Sequence, residues 1–483
     1  MLNTAKNIKG DCMLHTNNAA VRENLLHGQF GLERETLRIT TDGFLSQTPH
    51  PFPNDAYIVR DFSENQIEIN TGVCDSSEKV VAELAEHDAR VRATLSAMQA
   101  PEFLWPFSNP PFIRDWHDIP VAKFEGEDAK KTAYREYLSN RYGRYKMALS
   151  GIHFNYSFAN SLLQAEFAAR ECEGDSAAYE CGGNSSTRAS DTSGNCANCE
   201  DADDTTRSSS KPASSNNATI CENFAKFKDE FYIQVTENAV AYGWLMTVLT
   251  AASPLMDSSY MEKNVLGQDA FRGLSTPRCS EMGYWNYFTP ILNYESAEAY
   301  EQSINNYVKR GLISSPSELY YPIRLKPHGN YNDGGLAHDI SHIELRMFDL
   351  NPLFPQLINP QDVYFGQLFL VWLASLPAAH LSEKDQVQAA QNFKLASHYD
   401  LKTVVLVMPD GSSGNAVDMG QGILERVMSF YENVQAGQNT LDCIAFQQSK
   451  LADHNNRYAT IIRERFANTY MQKGLALARK RCQ

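Results

Sequence analysis

Two glutamates in one short run are the first residues of this sequence that could do chemistry. They lie in the segment 28–39, GQFGLERETLRI, which is followed by a Thr-Asp-Gly turn at 41–43. In a strand, alternate side chains share a face, so Glu33 and Glu35 would point one way and Arg34 the other. Neighbouring carboxylates repel each other unless a positive group lies over them, and Mg²⁺ is the divalent cation that accompanies nucleotide phosphates. A solvated strand face with scattered charge is the other interpretation.

Two more acidic segments favour the functional interpretation. The segment 61–69, DFSENQIEI, carries three acidic residues between apolar ones, and the segment 341–349, SHIELRMFD, carries Glu344 and Arg346 at strand spacing. A carboxylate and a guanidinium on one strand face can hold a metal ion and a phosphate together. Three acidic strands in one chain indicate a single polar pocket.

Three basic residues each have an ordinary and a functional interpretation. Arg135 belongs to the basic and aromatic segment 134–147, which is either a solvated helix face or an anion site. His153 lies in an alternating strand pattern, where a single histidine is most often a hydrogen-bonded core residue. Arg278 lies in the segment 275–284, whose composition is typical of a loop. Its side chain is either exposed to solvent or binds a carboxylate through the two nitrogen atoms of its planar guanidinium.

The elements that must position these residues are strands separated by helices. Alternation predicts strands at 29–39, 150–157, 320–326 and 341–349. Helical patterns occur at 75–100, 224–249, 362–376, 385–397, 420–434 and 440–480. The apolar stretch 239–256 contains Gly243 and Pro254, so we expect a buried core helix there and not a membrane span.

The segment 171–223 differs in kind. It is rich in Ser, Asp, Asn, Thr and Gly and poor in large apolar residues, a composition that predicts a disordered insertion in a loop. Five of the ten cysteines lie around it, namely Cys172, Cys181, Cys196, Cys199 and Cys221. A single CxxC pair leaves a structural metal, a redox-responsive loop and chemically inert sequence as open interpretations.

Composition excludes several classes of partner. The net charge of −15 argues against nucleic acid, because phosphate binding needs clustered Lys and Arg. The first ten residues contain no apolar core of a secretory signal, and we expect a cytoplasmic protein without membrane partners. The oligomeric state is not defined by the sequence, and a monomer is compatible with it.

The motifs together resemble the bacterial glutamate–cysteine ligases, most closely the ligase half of the bifunctional glutathione-making enzymes. The matching segments occur in the order of that family, from FGLERETLR at 30–38 to ELR at 344–346. They are 30–38, 48–51, 61–64, 105–108, 134–136, 140–143, 150–155, 283–284, 344–346 and 349–352.

The resemblance implies an α+β fold similar to that of glutamine synthetase. In this fold a curved, mostly antiparallel sheet forms an active-site funnel, and the helices lie outside. It implies one ligase domain over 1–483, interrupted by the insertion at about 171–223. Because the sequence ends at Gln483, we expect no C-terminal ATP-grasp module.

The resemblance also implies a reaction and its residues. ATP would phosphorylate the γ-carboxylate of L-glutamate, and the amino group of L-cysteine would displace the phosphate. The cofactor would be Mg²⁺, with Mn²⁺ as an alternative. The implied metal ligands are Glu35 and Glu68 for one ion, Glu33, His153 and Glu344 for a second, and Asp61 near a third. The implied catalytic residues are Arg346, which also binds ATP, and Arg135. The implied substrate-binding residues are Arg278, Tyr134, Tyr284 and Asn155.

Three alternatives stay open on the sequence. A related carboxylate–amine ligase could use a different amine, because one sequence does not define the small pocket that selects cysteine. A pseudoenzyme could bind nucleotide or metal as a regulatory subunit. A metal-dependent hydrolase would consume ATP without added amino acids.

Overall fold

The computed structural model describes residues 14–179, 215–261, 269–329, 336 and 340–482. In chain order the strands are β1 Gly28–Thr40, β2 Ile58–Arg60, β3 Gln66–Asn70, β4 Glu102–Leu104, β5 Gly151–Phe158, β6 Leu255–Asp257, β7 Asp269–Phe271, β8 Ile323–Pro327, β9 Ile340–Asp349, β10 Val405–Val407 and β11 Ser413–Asn415. The helices are α1 Ala19–Asn24, α2 Ser77–Ser96, α3 Ala129–Tyr142, α4 Arg144–Met147, α5 Asn160–Tyr179, α6 Ser215–Tyr242, α7 Trp244–Thr250, α8 Ala297–Lys309, α9 Pro360–Ala374, α10 Glu383–Ala396, α11 Ala416–Asn433, α12 Gln438–Ala452, α13 Tyr458–Phe466 and α14 Tyr470–Arg481.

The central element is a seven-stranded antiparallel sheet. Its strands follow the order β2-β3-β1-β5-β9-β8, and β4 pairs with the end of β1. The long strand β1 therefore has β3 on one side and β5 on the other. Helices from all parts of the chain pack on this antiparallel sheet. The combination confirms the predicted α+β class.

The two faces of β1 have different environments, as the alternation predicts. Phe30 and Leu32 are buried in the main hydrophobic core, and further along the same face the guanidinium groups of Arg34 and Arg38 are fully buried. Arg34 forms an ion pair with Asp88 of α2, and Arg38 forms one with Glu102 of β4 at 2.6 Å. These pairs compensate the buried charges, so the other face of β1 is left for Glu33 and Glu35.

The apolar stretch 239–256 lies in the protein core. It is divided into the end of α6, the short helix α7 and the strand β6, and nearly every side chain in it is buried. The break falls at Gly243, where a β-carbon would collide with the Ala239 carbonyl. The expected core location is confirmed, but the single helix is not. Across the described ranges, every helix is too short or too polar to traverse a bilayer.

The prediction of a disordered insertion over 171–223 is wrong at both margins of that range. Helix α5 continues to Tyr179 and α6 begins at Ser215, so both margins of that range have helical backbone. Aromatic rings of the two helices pack together, Phe167 of α5 against Phe224 and Phe227 of α6. From this contact both helices continue into the polar margins of the segment. Residues 180–214, with three of the five cysteines, lie outside the described residues.

Candidate active site

The sheet register brings the acidic residues of separate strands together. On β1, Glu35 lies opposite Glu68 of β3, and Glu33 lies opposite His153 of β5. Residues directly opposite each other in an antiparallel pair share a face of the sheet, so these four side chains converge. Glu344 of β9 joins them on the other edge of β5.

The converging side chains line a cavity of about 350 Å³. Asp61 reaches it from the loop between β2 and β3, and Arg346 reaches it from β9. All of the predicted site residues except Asn155 line this cavity, namely Glu33, Glu35, Asp61, Glu68, Tyr134, Arg135, His153, Arg278, Tyr284, Glu344 and Arg346.

Glu33, His153 and Glu344 form the tightest group. The Nδ1 atom of His153 lies 3.0 Å from Glu33 Oε2 and 3.6 Å from Glu344 Oε1, and its Nε2 atom lies 3.7 Å from Glu35 Oε1. Burial and the nearby Arg346 guanidinium lower the pKa of His153, so the imidazole is neutral near pH 7. A neutral imidazole retains the lone pair that a metal ligand needs.

The four glutamates of the cavity fall into two electrostatic classes. Burial, together with the negative charge of Asp61, raises the pKa of Glu35 to about 8 and that of Glu68 well above its ordinary value. Burial also acts to raise the pKa of Glu33, but the hydrogen bond with His153 and the positive charge nearby, including that of Lys326, together outweigh it, and the pKa falls to about 2. For Glu344 burial again acts to raise the pKa, but the charge of Arg346 and the other positive groups around it together lower the pKa.

Basic side chains surround Glu344. Arg346 Nη1 donates a hydrogen bond to Glu344 Oε2 at 3.0 Å, and Lys326 Nζ lies 3.5 Å from Glu344 Oε1. Lys326 belongs to β8 and lines the cavity. Sequence reasoning predicted the strand that carries Lys326 but did not identify the residue as part of the site. Its alternation with Arg324 on a strand next to the acidic β9 is the signal that could have found it.

The opposite side of the cavity is built by helix α3 and two loops. Arg135 donates a hydrogen bond from Nε to the Asp61 carbonyl, and its guanidinium carbon lies 4.8 Å from the centre of the Phe124 ring. Tyr134 precedes it in α3, and burial raises the pKa of its phenol to about 12. Helix α3 supplies three cavity residues, since Leu138 also lines the cavity. The interpretation of this segment as only a solvated helix face is therefore wrong.

Arg278 lies at the end of the cavity beside the sheet. It is only 7% exposed, and its Nη2 donates a hydrogen bond to the Phe348 carbonyl at 2.5 Å. Its Nε lies 3.8 Å from Asp349 Oδ1. The alternative of an exposed loop arginine is therefore wrong, because the side chain is buried against β9.

Asn155 differs from the other predicted substrate contacts. It is absent from the described cavity wall, and its Nδ2 donates a hydrogen bond to Glu33 Oε1 at 3.0 Å. Asn155 lies two residues after His153 on the same face of β5, so its partner is a cavity glutamate. The amide orients Glu33, and the direct contact of Asn155 with substrate stays a prediction.

The donor set of the cavity fits a divalent cation. Glu33, His153 and Glu344 each offer one ligand atom, and these atoms all lie within 4.8 Å of one another. Carboxylate oxygens with an imidazole suit hard or borderline divalent ions. The Oε1 atom of Glu344 is buried and accepts no hydrogen bond within the described part of the chain. Burial and repulsion between neighbouring carboxylates raise the pKa of Glu35 and of Glu68, and a bound cation would favour their charged forms.

Comparison with known proteins identifies the family. Residues 13–180, 209–333 and 287–396 match the family described as glutamate-cysteine ligase. A glutathione biosynthesis bifunctional protein of Listeria innocua is 30% identical, over 96% of this chain and 57% of its own length. The chain spans about half the length of the curated relatives it matches.

Two solved structures share the fold. A bifunctional glutathione synthetase from Pasteurella multocida has a TM-score of 0.74 at 21% identity, over 98% of this chain and 54% of that protein. A glutamate–cysteine ligase from Francisella tularensis, crystallised in complex with AMP, has a TM-score of 0.73 at 21% identity, over 95% of this chain and 88% of that one. Together with the family match over most of the sequence, these findings show that the chain belongs to the glutamate–cysteine ligase family.

Proposed function

We propose that this chain joins the γ-carboxylate of L-glutamate to the amino group of L-cysteine, with conversion of ATP to ADP and phosphate. The product would be γ-glutamylcysteine, the first intermediate of glutathione synthesis. The observation that carries the proposal is one cavity in which acidic residues from four strands or loops meet three arginines, in a chain of this family.

The proposed reaction proceeds in two steps. An oxygen of the glutamate γ-carboxylate attacks the γ-phosphorus of ATP, which releases ADP and forms an acyl phosphate. The uncharged amino group of cysteine then attacks the acyl carbon, phosphate leaves, and the amide nitrogen loses a proton. Such chemistry depends mainly on positioning and on compensation of charge.

Two arginines have separate roles in this proposal. Arg278, buried beside Asp349, binds a carboxylate of glutamate through its planar guanidinium. Arg346 neutralises the charge of the transferred phosphoryl group. Its hydrogen bond with Glu344 fixes the orientation of the guanidinium. Although burial acts to lower the pKa of Arg346, the hydrogen bond and the charges of Glu344 and the neighbouring glutamates together raise it and keep Arg346 cationic. Arg135 assists from the opposite wall.

The acidic residues would hold divalent cations, with Mg²⁺ as the expected ion. Glu33, His153 and Glu344 form one ligand set, Glu35 and Glu68 form another, and Asp61 lies beside the second set. Cations bound by these residues would offset the negative charge of the nucleotide phosphates. Asn155 and the neighbouring strands keep the carboxylates in place before substrates arrive.

The cavity offers little support for a thiol nucleophile. Cys279 lines the cavity, but burial raises the pKa of its thiol to about 11. The thiol is therefore protonated near neutral pH, and the thiolate is the reactive form. Direct attack by one substrate on another fits the site better.

ADP release tests the proposal. Purified protein would be supplied with ATP, Mg²⁺ and glutamate, with and without cysteine, beside a panel of other small amines. We expect strong stimulation by cysteine and γ-glutamylcysteine as product. Stimulation by another amine would contradict the proposed amine but retain the ligase reaction. Release of ADP without any amino acid would indicate a hydrolase, and no release would indicate a binding protein.

A further inference from the structure

We propose that Glu318, a carboxylate behind the cavity wall, is a positioning residue for the amine substrate. It is fully buried and does not line the cavity. With Arg141, Tyr142 and Asn286 it forms a hydrogen-bonded cluster, here called the Glu318 network. The inference deepens the proposed function and rests on it, because the wall that this network supports would bind the second substrate.

The supported surface is an aromatic wall of three tyrosines. Tyr134 belongs to α3, Tyr284 lies in the loop after β7, and Tyr320 precedes β8, and all three line the cavity. The rings of Tyr284 and Tyr320 have their centroids 5.6 Å apart. None of the three tyrosines lies in a strand of the central sheet, so their relative positions depend on contacts between loops and α3.

Glu318 joins the end of α3 to the loop before β8. Its Oε1 accepts a hydrogen bond from the Tyr142 hydroxyl at 2.8 Å and lies 3.0 Å from Arg141 Nε. Its Oε2 accepts hydrogen bonds from the backbone N–H and the hydroxyl of Ser314 at 2.6 and 2.8 Å. A buried carboxylate with this many partners is rigid, and charge-assisted bonds are among the strongest in proteins.

Asn286 extends the network to Tyr284 and Tyr320 of the aromatic wall. Its Nδ2 donates hydrogen bonds to the Glu318 carbonyl at 2.8 Å and to the Tyr142 hydroxyl at 3.2 Å. Its Oδ1 accepts a hydrogen bond from the backbone N–H of Tyr320 at 2.9 Å. Because Asn286 is two residues after Tyr284, one amide sets the spacing between the Tyr284 and Tyr320 segments.

Ring packing completes the connection. The Tyr142 ring meets the Tyr320 ring edge to face, with centroids 5.2 Å apart, and stacks on Tyr287 at 5.1 Å. The Tyr287 hydroxyl donates a hydrogen bond to the Arg141 carbonyl. The Glu318 network therefore contacts the segments that carry the three tyrosines of the aromatic wall. The acidic cluster, by contrast, is positioned by the pairing of the sheet strands. Loosening the network would disturb one side of the cavity and spare the other.

The test compares two variants with a matched control. Glu318→Gln keeps the size of the side chain but removes its charge, and Tyr142→Phe removes one hydroxyl while the ring stays. Glu166→Gln is the control, since Glu166 is also fully buried and ion-paired, with Arg170 at 2.8 Å, but lies outside the cavity in α5. Melting temperatures would be measured for all three variants.

The expected result is a selective change in KM. For Glu318→Gln and Tyr142→Phe we expect the KM for cysteine to rise about fivefold or more, with the KM for ATP within about twofold and kcat within about threefold of the unaltered chain. The control should leave all three constants within about twofold. A purely structural role would lower the melting temperature without this split.

Different results would contradict different claims. Absence of cysteine-dependent turnover by the unaltered chain would overturn the proposed function and, with it, the inference. If the unaltered chain turns over cysteine but the folded variants show an unchanged KM for cysteine, the inference alone would be overturned. If Glu318→Gln does not fold, Tyr142→Phe decides, because it leaves the buried ion pair with Arg141 intact.

Discussion

The guanidinium of Arg278 occupies the space directly beside the α-carbon of Gly151, so that a β-carbon at Gly151 would overlap it. Gly151 begins β5, and its backbone N–H also donates a hydrogen bond to Glu35 Oε2 at 2.9 Å. The glycine thus makes room for the proposed glutamate-binding arginine and orients a proposed metal ligand. Only the space for Arg278 depends on the absence of a side chain at this position, because every residue except proline has the backbone N–H.

Gly151→Ala is expected to impair glutamate binding. The added methyl group would displace Arg278 from the Phe348 carbonyl, and we expect the KM for glutamate to rise about tenfold or more. Steady-state kinetics with varied glutamate would measure this. Gly31→Ala is the control, because a β-carbon at Gly31 of β1 would meet Asn155 Cβ at 3.5 Å, an ordinary contact. Equal kinetics for both variants would count against the steric relationship.

Arg278→Lys should produce the same kinetic signature without a clash. A lysine keeps the positive charge but loses the planar fork that binds a carboxylate through two bonds, so we expect the KM for glutamate to rise about tenfold. Arg114→Lys provides the comparison, since Arg114 pairs with Asp118 on the surface, away from the cavity. An unchanged KM in Arg278→Lys would remove Arg278 from the glutamate site.

Glu33→Gln is expected to abolish turnover while the fold persists. The change is isosteric, but it removes the charge beside His153 in the proposed metal site, and we expect kcat to fall about 100-fold or more. Circular dichroism and the melting temperature would verify folding. Glu64→Gln is a suitable control, because Glu64 belongs to the acidic segment 61–69 yet pairs with Arg60 at 3.2 Å and does not line the cavity. Activity of Glu33→Gln within tenfold of the unaltered protein would argue against the metal role.

Glu35 predicts a pH-dependent stability in the metal-free protein. Its pKa is raised from 4.5 to about 8 by burial and by Asp61, so between these values the folded state holds a proton that the unfolded state has lost. The free energy of unfolding should therefore decrease as pH rises across this window, by at most about 1.4 kcal/mol per pH unit for this group.

The comparison that isolates this effect is with Glu35→Gln. Urea unfolding in the presence of a chelator, from pH 5.5 to pH 8.5, should show the variant gaining stability relative to the unaltered chain as pH rises. Histidines that titrate in the same range are common to both proteins and cancel in the difference. Saturating Mg²⁺ should reduce the pH dependence of the unaltered chain. A difference that stays constant across this range would contradict the assigned environment of Glu35.

The sequence predicted those parts of the site that follow from strand geometry. The two-residue period of β1 places Glu33 and Glu35 on one face and Arg34 on the other, and the structure confirms it because the opposite face is occupied by buried ion pairs. The same period on β9 places Glu344 and Arg346 together. The grouping of these residues with Glu68 and His153 came from the family resemblance, since no local pattern defines which strands pair.

Other features depend on tertiary contacts that no local pattern contains. Glu318 ends a short 3₁₀ helix, Pro316–Glu318, and Asn286 lies in a loop. Tyr142, a partner of both, comes from α3, more than a hundred residues earlier. The helical pattern at 440–480 predicts one helix, whereas the chain forms α12, α13 and α14. Asp453 ends the first of these by accepting a hydrogen bond from the backbone N–H of Asn455, although the apolar periodicity continues across the break.

The most direct test of the proposed reaction follows an oxygen atom. Glutamate labelled with ¹⁸O in its γ-carboxylate would be incubated with the protein, ATP, Mg²⁺ and cysteine, and the phosphate analysed by mass spectrometry. We predict that each molecule of phosphate carries a single ¹⁸O atom, in step with formation of γ-glutamylcysteine, because the carboxylate oxygen remains on phosphorus when the amine displaces it. Unlabelled phosphate formed in the same turnover would contradict an acyl phosphate and the ligase reaction proposed for this cavity.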